Sequence, residues 1–240
     1  MSYLYVCEQG AKISFKNFQF IVYKNDNVLQ NIPCEALDSI NLFGNIQISA
    51  SALKKCLQDG INIIFYSLHG SYYGRLISTA HINAKLQRKQ VFLGENEHFK
   101  LEFAKNIINA KINNQEILIK RYSRNNIFNP NIVINKMHDI RKKILSPETL
   151  SISQIMGYEG VAARLYFETI GQLVDSNFTF KNRTRRPPLD PYNSLISLGY
   201  SILNNEIYGK IEAAGLNPYF GFLHKDREKH PTLASDLLEE

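Results

Sequence analysis

Glu159, His224, Asp236 and Glu239 are the residues of this 240-residue chain whose types and placing could do chemistry. Glu159 stands in "SISQIMGYEGVAARLYFETI", a stretch that predicts a helix capped by serine or threonine. On that helix it shares a face with Ile155, Met156, Ala162 and Ala163, with Tyr166 two turns on. An ionised carboxylate on an apolar face costs roughly several kcal/mol unless it is paired, hydrogen-bonded or bound to a cation. Two readings follow: a buried ion pair with an arginine or lysine, Arg164 being a nearby candidate, or a bound metal. Gly157 and Gly160 flank the glutamate. Each costs about 1 kcal/mol in a helix interior, which a close approach of another helix or a ligand backbone would offset.

The second cluster closes the chain. "GFLH" puts His224 directly after an apolar stretch, so its imidazole is expected to face the interior. Pro231 suits the first position of a last helix, whose Asp236 and Glu239 share one face at i and i+3, with Leu233 nearby. Carboxylate and imidazole ligation together suits Mg²⁺ or Mn²⁺, with water completing the shell and room left for a phosphate oxygen. Zinc is disfavoured by a single histidine with no cysteine close by. Taken one at a time, these residues keep structural alternatives: a satisfied core histidine, and a solvated acidic pair at a chain end.

The elements that would position these groups fall into two composition zones. Before residue 80 the chain reads as β-rich: "FQFIVYK" and "VLQNIP" flank the turn formers Asn25, Asp26 and Asn27, a hairpin by spacing. "SINLFGNIQIS" suggests two short strands around Gly44-Asn45, and "SASALKKCLQDG" a helix with a Ser49 or Ser51 cap and Gly60 as its stop. "INIIFYS" and "SYYGRLIS" add a buried strand and a hairpin arm. From Ala84 to about Asn125 the periodicity is helical, and helical stretches continue to the end. The expectation is an α+β protein: a small β-rich domain over residues 1–80, then a larger all-α domain over 81–240.

Charge is uneven along this plan. Residues 1–80 carry 6 basic and 5 acidic side chains, residues 81–150 carry 13 and 6, and residues 151–240 carry 9 and 11, within a net charge of +6. A basic stretch beside an acidic one fits a protein that holds a polyanion on one element and does metal chemistry on another. No run of eighteen apolar residues occurs and the start lacks a signal-peptide pattern, so a cytoplasmic address with no membrane is expected. Cys7, Cys34 and Cys56 suit neither a disulfide framework nor a zinc site and read as buried thiols.

Several segments carry a resemblance to a known family. "LYVCEQGAKI" and "LFGNIQISASALKKCLQDGINIIFYSLHGSYYGRL", with "GYEGVAARLYF", "RRPPLDPYNSLISLGYSIL" and "GLNPYFGFLHKDREKHPTLASDLLEE", are similar to the universal CRISPR-associated integrase, the "Cas-one" family of adaptation nucleases. The resemblance covers nearly the whole chain. It implies a divalent-metal-dependent DNA endonuclease and integrase that inserts foreign DNA fragments into a CRISPR array as new spacers. By motif, the glutamate, histidine and later acidic residue that hold the family's Mg²⁺ or Mn²⁺ fall on Glu159, His224 and Glu239, with Asp236 as an auxiliary acid. The resemblance also implies a homodimer formed through the β domains and a small ferredoxin-like partner, "Cas-two". Its substrates would be double-stranded DNA, both prespacer and CRISPR repeat.

For DNA contacts the candidates are Lys181, Arg183, Arg185 and Arg186 in "KNRTRRPPLDPYN", and Lys225, Arg227 and Lys229 after His224; a solvated loop is the plain alternative for both. Asn193, Tyr200 and Tyr166 are read as structural rather than catalytic. Family members continue past "DLLEE", so the resemblance implies a helical domain truncated at its C-terminus. Two rival functions remain at this point: a transposon-borne integrase of the same lineage, and a non-catalytic DNA-binding scaffold.

Overall fold

The computed structural model describes residues 2–79, 82–124, 129–146, 150–175, 178, 180, 182–184 and 187–239. The chain divides into two compact units, Met1–Ile82 and Asn83–Glu240. The architecture is α+β, with strands first and helices after.

The first unit holds two four-stranded sheets. One is built from β1 (Ser2–Val6), β5 (Leu37–Phe43), β7 (Asn62–Tyr66) and β8 (Tyr72–Leu76), in that order. β1, β5 and β7 run parallel and β8 returns antiparallel to β7. The other has the order β4 (Asn27–Pro33), β3 (Gln19–Lys24), β2 (Lys12–Lys16), β6 (Gln47–Ile48). The β3–β4 hairpin turns through Asn25 and Asp26, both at positive φ (47° and 64°), a conformation short polar side chains tolerate. Gly44-Asn45 joins strands that do not pair with each other. β5 lies in one sheet and β6 in the other, so Gly44, at φ 79°, carries the chain between sheets rather than closing a hairpin.

Helix α1 (Ala50–Asp59) is capped by Ser49, whose side chain accepts from the Ala52 N–H, and stops at left-handed Gly60. Leu4, Ile13, Phe20, Ile40, Leu42, Cys34, Cys56 and Ile63 share the core of this unit. All three cysteines are free thiols, but Cys7 is exposed, unlike the buried Cys34 and Cys56, so the expectation of three buried thiols is corrected there.

The second unit contains α2 (Ala84–Gly94), α3 (Glu97–Tyr122), α4 (Asn131–Ile144), α5 (Ile152–Leu173), α6 (Pro191–Ala213) and α7 (Thr232–Leu238). The continuous helical periodicity from Ala84 is interrupted after Gly94, because Asn96 folds back to accept from the Phe99 N–H and starts α3 afresh. Ala104, Ile108, Ile112 and Ile119 of α3 form a buried stripe that packs with Met137 and Ile144 of α4 and Ile155 and Ala162 of α5. A smaller cluster joins Phe222, Leu233, Ala234 and Ile211, with Phe99, Phe103 and Leu237 packed against it. Phe103 and Leu237 border both clusters, so α3 is the element on which α5 and the C-terminal segment are both seated. Among the described residues no helix is long and apolar enough to cross a membrane.

α5 opens with a reciprocal cap: the Ser151 side chain accepts from the Gln154 N–H, and the Gln154 side chain accepts from the Ser151 N–H. Replacing Ser151 by alanine is expected to lower the unfolding free energy by about 1 kcal/mol in a urea titration. An unchanged midpoint would show that the packing of α5 on α3 alone sets its start.

Candidate active site

Asp236 is fully buried, and four donors converge on it. Its Oδ2 accepts from the backbone N–H groups of Phe222 (2.6 Å) and Leu223 (2.9 Å). Its Oδ1 accepts from the His224 N–H (3.0 Å) and contacts His224 Nδ1 at 2.8 Å. A carboxylate offers about four lone-pair directions, and here each has a partner. Asp236 therefore fixes the "GFLH" turn and aims the imidazole. Against an acceptor, Nδ1 carries the proton, which leaves Nε2 as the free nitrogen.

The hydrogen bond to Asp236 raises the His224 pKa. Burial opposes that rise, and the charges of Asp236 and Glu239 reinforce it. Phe222 anchors the same turn, meeting Phe99 and Phe103 of α3 edge-on with ring centroids 5.1 and 5.2 Å apart. Gly221 has no room for a side chain: a Cβ there would lie 2.5 Å from Thr232 Cγ2 and 2.7 Å from Asp236 Oδ2.

The second feature is a cation held between two carboxylates. Lys111 of α3 places its ammonium 2.6 Å from Glu159 Oε1 of α5 and also donates to Glu239 Oε2, at the C-terminal cap of α7. Side-chain exposures of 16%, 17% and 26% for Lys111, Glu159 and Glu239 set the trio in a partly shielded recess that solvent still reaches. Burial by itself would push the lysine pKa down, but the charges of Glu239 and Glu159 and the hydrogen bonds to both outweigh it, and the net shift is upward. His224 Nε2 lies 4.0 Å from Glu239 Oε1, so the imidazole borders the same recess.

Glu159, His224 and Glu239 are thus brought together, while Asp236 stands behind them. Among the described residues no three His, Cys, Asp or Glu side chains are gathered closely enough to hold a metal ion, and the positive charge between Glu159 and Glu239 is supplied by Lys111.

This geometry replaces three expectations. Glu159 does pair with a cation, but Arg164 is not that cation. Arg164 is largely exposed and its Nε lies 3.9 Å from Glu168 one turn on. Nor, among the described residues, does another helix approach Gly157 and Gly160, since a Cβ at either would meet none of their atoms within 4 Å. Pro231 lies one position earlier than expected, at the N-cap of α7 rather than inside it.

The profile of the family "CRISPR associated protein Cas1" matches residues 4–240. A CRISPR-associated endonuclease Cas1 of Mycobacterium tuberculosis is 38% identical over 240 residues, covering 100% of this chain and 70% of the relative. The chain belongs to the Cas1 family. Among solved structures, a chain of a partial Cas6-RT-Cas1–Cas2 complex has a TM-score of 0.70 at 28% identity, covering 99% of this chain and 71% of that one. The fold is also that of a Cas1 protein from Thermotoga maritima, with a TM-score of 0.77 at 24% identity over 99% of this chain and 73% of that one.

Within this Cas1 chain the basic residues singled out by sequence divide into three groups. Lys225, Arg227 and Lys229 are exposed on the loop that follows His224. Arg183 is half-buried and serves its own loop: its Nη1 donates to Thr184 O (2.6 Å) and Asn193 Oδ1 (2.9 Å), and its guanidinium lies 5.7 Å from the Tyr200 ring centroid. Lys181, Arg185 and Arg186 lie outside the described residues.

Asn193, fully buried, is the centre of the Arg183 knot. It accepts from the Thr184 N–H and donates to Asn182 O and Asp190 Oδ2. Tyr166 is packed against Phe167, and burial pushes its phenol up to about 12, so it carries no phenolate near neutral pH.

Lys111, the cation between the two glutamates, is the residue of this site that sequence reasoning missed. A signal existed: it sits between Ile108 and Ile112 on α3, a charge beside an apolar stripe, as Glu159 is on α5. Asp236→Ala is expected to destabilise the protein by about 3 kcal/mol or more, because three backbone N–H groups lose their acceptor. Gly221→Ala should be comparably damaging. Urea unfolding of both variants beside Glu159→Gln checks this. A loss no larger than that of Glu159→Gln would show that Asp236 does not hold the turn.

Proposed function

We propose that this chain is a divalent-metal-dependent DNA endonuclease and integrase of the Cas1 family, which inserts foreign DNA fragments into a CRISPR array as new spacers. The observation that carries the catalytic reading is the convergence of Glu159 and Glu239 on one cation, beside an imidazole whose Nδ1 is already committed to Asp236. The donor set fits Mg²⁺ or Mn²⁺. Two hard carboxylate oxygens and one neutral nitrogen make an incomplete shell that leaves positions for water and a phosphate oxygen. Glu159, Glu239 and His224 Nε2 would hold the ion. Bound there, it would neutralise charge developing on a phosphodiester and lower the pKa of an attacking hydroxyl or water.

The chain's own residues supply the rest. Asp236 keeps the proton on Nδ1, so that Nε2 presents a lone pair to the recess, and it acts as a positioning residue rather than an acid or ligand. In integration, the 3′-hydroxyl oxygen of a prespacer forms the new bond to phosphorus and the repeat's original phosphorus–oxygen bond breaks. Hydrolysis is the same exchange with water as attacker. No covalent enzyme intermediate is required, in keeping with the unionised Tyr166.

Lys225, Arg227 and Lys229 extend from the turn that holds His224 and would contact phosphates close to the reacting one. Lys181, Arg185 and Arg186 are kept as candidate DNA contacts. Arg183 is a weaker candidate, because its donors are directed into the Asn193 knot. Bare backbone at Gly157 and Gly160 beside Glu159 would let a nucleic-acid backbone come close. The partners we infer are double-stranded prespacer and repeat DNA, a second copy of this chain through the first unit, and a ferredoxin-like Cas2 protein, in the cytoplasm.

His224→Ala is expected to reduce Mn²⁺-dependent cleavage and integration by a factor of about a hundred or more while leaving DNA affinity within about twofold. Parallel activity assays and fluorescence-anisotropy titrations at one salt concentration measure the two. Equal loss of both would argue for a DNA-contact role instead.

A further inference from the structure

The position of Lys111 bears on how the site assembles. Two carboxylates from different helices share a recess shielded from most of the solvent, and like charges there oppose the seating of α7 beside α5. Lys111 comes from the helix on which both are packed, and its neighbours Ile108 and Ile112 are fully buried, so its backbone cannot move away. Its side chain is the flexible part. A lysine reaching between Glu159 and Glu239 uses one oxygen of each, and a divalent ion would need oxygens of the same two groups.

We propose that Lys111 is a resident counter-ion: its ammonium keeps Glu159 and Glu239 assembled before metal arrives, and it competes with the metal for those two carboxylates. This rests on the reading of Glu159 and Glu239 as ligands. Loading then requires the lysine side chain to swing out of the bridge, and the metal concentration at which the site fills is set by that exchange as well as by the ligands. The lysine performs no chemical step in this role. It is a positioning residue for the ligand set.

Lys111→Met keeps the length and apolar stem while removing the charge. In EDTA the variant should melt several degrees below the parent, because the carboxylates face each other without a cation. In Mn²⁺ that deficit should disappear, and calorimetric titration should show Mn²⁺ binding about tenfold or more tighter than to the parent. Glu159→Ala serves as the control and should lose Mn²⁺ binding at this site.

A melting deficit that is the same in EDTA and Mn²⁺, with Mn²⁺ affinity unchanged or weaker, would overturn the proposal and leave Lys111 an ordinary ion pair. If Glu159→Ala binds Mn²⁺ as the parent does, the ligand reading fails, and the proposal with it. A measurement on the unaltered chain guards against a variant that folds poorly. Mn²⁺ should raise the acetylation of Lys111 by an amine-reactive ester several-fold, read by mass spectrometry, with Lys105 as an internal reference. Unchanged reactivity of Lys111 would contradict displacement.

Discussion

Two carboxylates shielded from much of the solvent repel each other, and the site depends on a cation between them. Glu159 belongs to α5 and Glu239 to the end of α7, and their encounter is tolerable only because positive charge lies where both can reach it. α3 makes the encounter geometrically possible. Its Ile108–Ile112 stripe seats α5, its Phe99–Phe103 pair receives Phe222, and Lys111 projects from between Ile108 and Ile112. Packing and electrostatics therefore converge on one helix. The apolar contacts set where the acids stand, and the ammonium makes that placement affordable in free energy.

The acidic residues of the tail divide their labour by burial. Asp236 has no exposed surface and gives its oxygens to three backbone N–H groups and an imidazole. Glu239 lies three residues further on, where α7 ends and solvent begins, and remains accessible. One carboxylate builds the turn that presents His224 and the other joins the recess that His224 borders. That division explains why Gly221 must lack a side chain: the room a Cβ would need is filled by Asp236 and Thr232.

Much of this was legible in sequence, unevenly and for physical reasons. Local capping and turn chemistry read well at Ser49, Gly60, Ser151 and the Asn25-Asp26 turn, since each depends on a few neighbouring residues. The helical face of Glu159 read correctly too, because periodicity decides it. What failed depended on distant chain. The partner of Glu159 is 48 positions away on α3, not Arg164 one turn on. The strands flanking Gly44 belong to different sheets, which no local signal specifies. Asp236 and Glu239 share residue class and neighbourhood, and only tertiary burial separates an orienting carboxylate from an accessible one. The hydrogen bonds of Arg183 to Asn193 and Ser197 are likewise invisible in a run of basic residues.

The central claim is that Glu159, Glu239 and His224 close around a single divalent ion. A crystal structure determined with Mn²⁺, using anomalous scattering to locate the metal, tests it most directly. The account predicts one strong anomalous peak bonded to an oxygen of each glutamate and to Nε2 of His224, with Nδ1 still on Asp236 and Lys111 withdrawn from the bridge. A fully bound Mn²⁺ located elsewhere, with Lys111 still spanning the two glutamates, would contradict it.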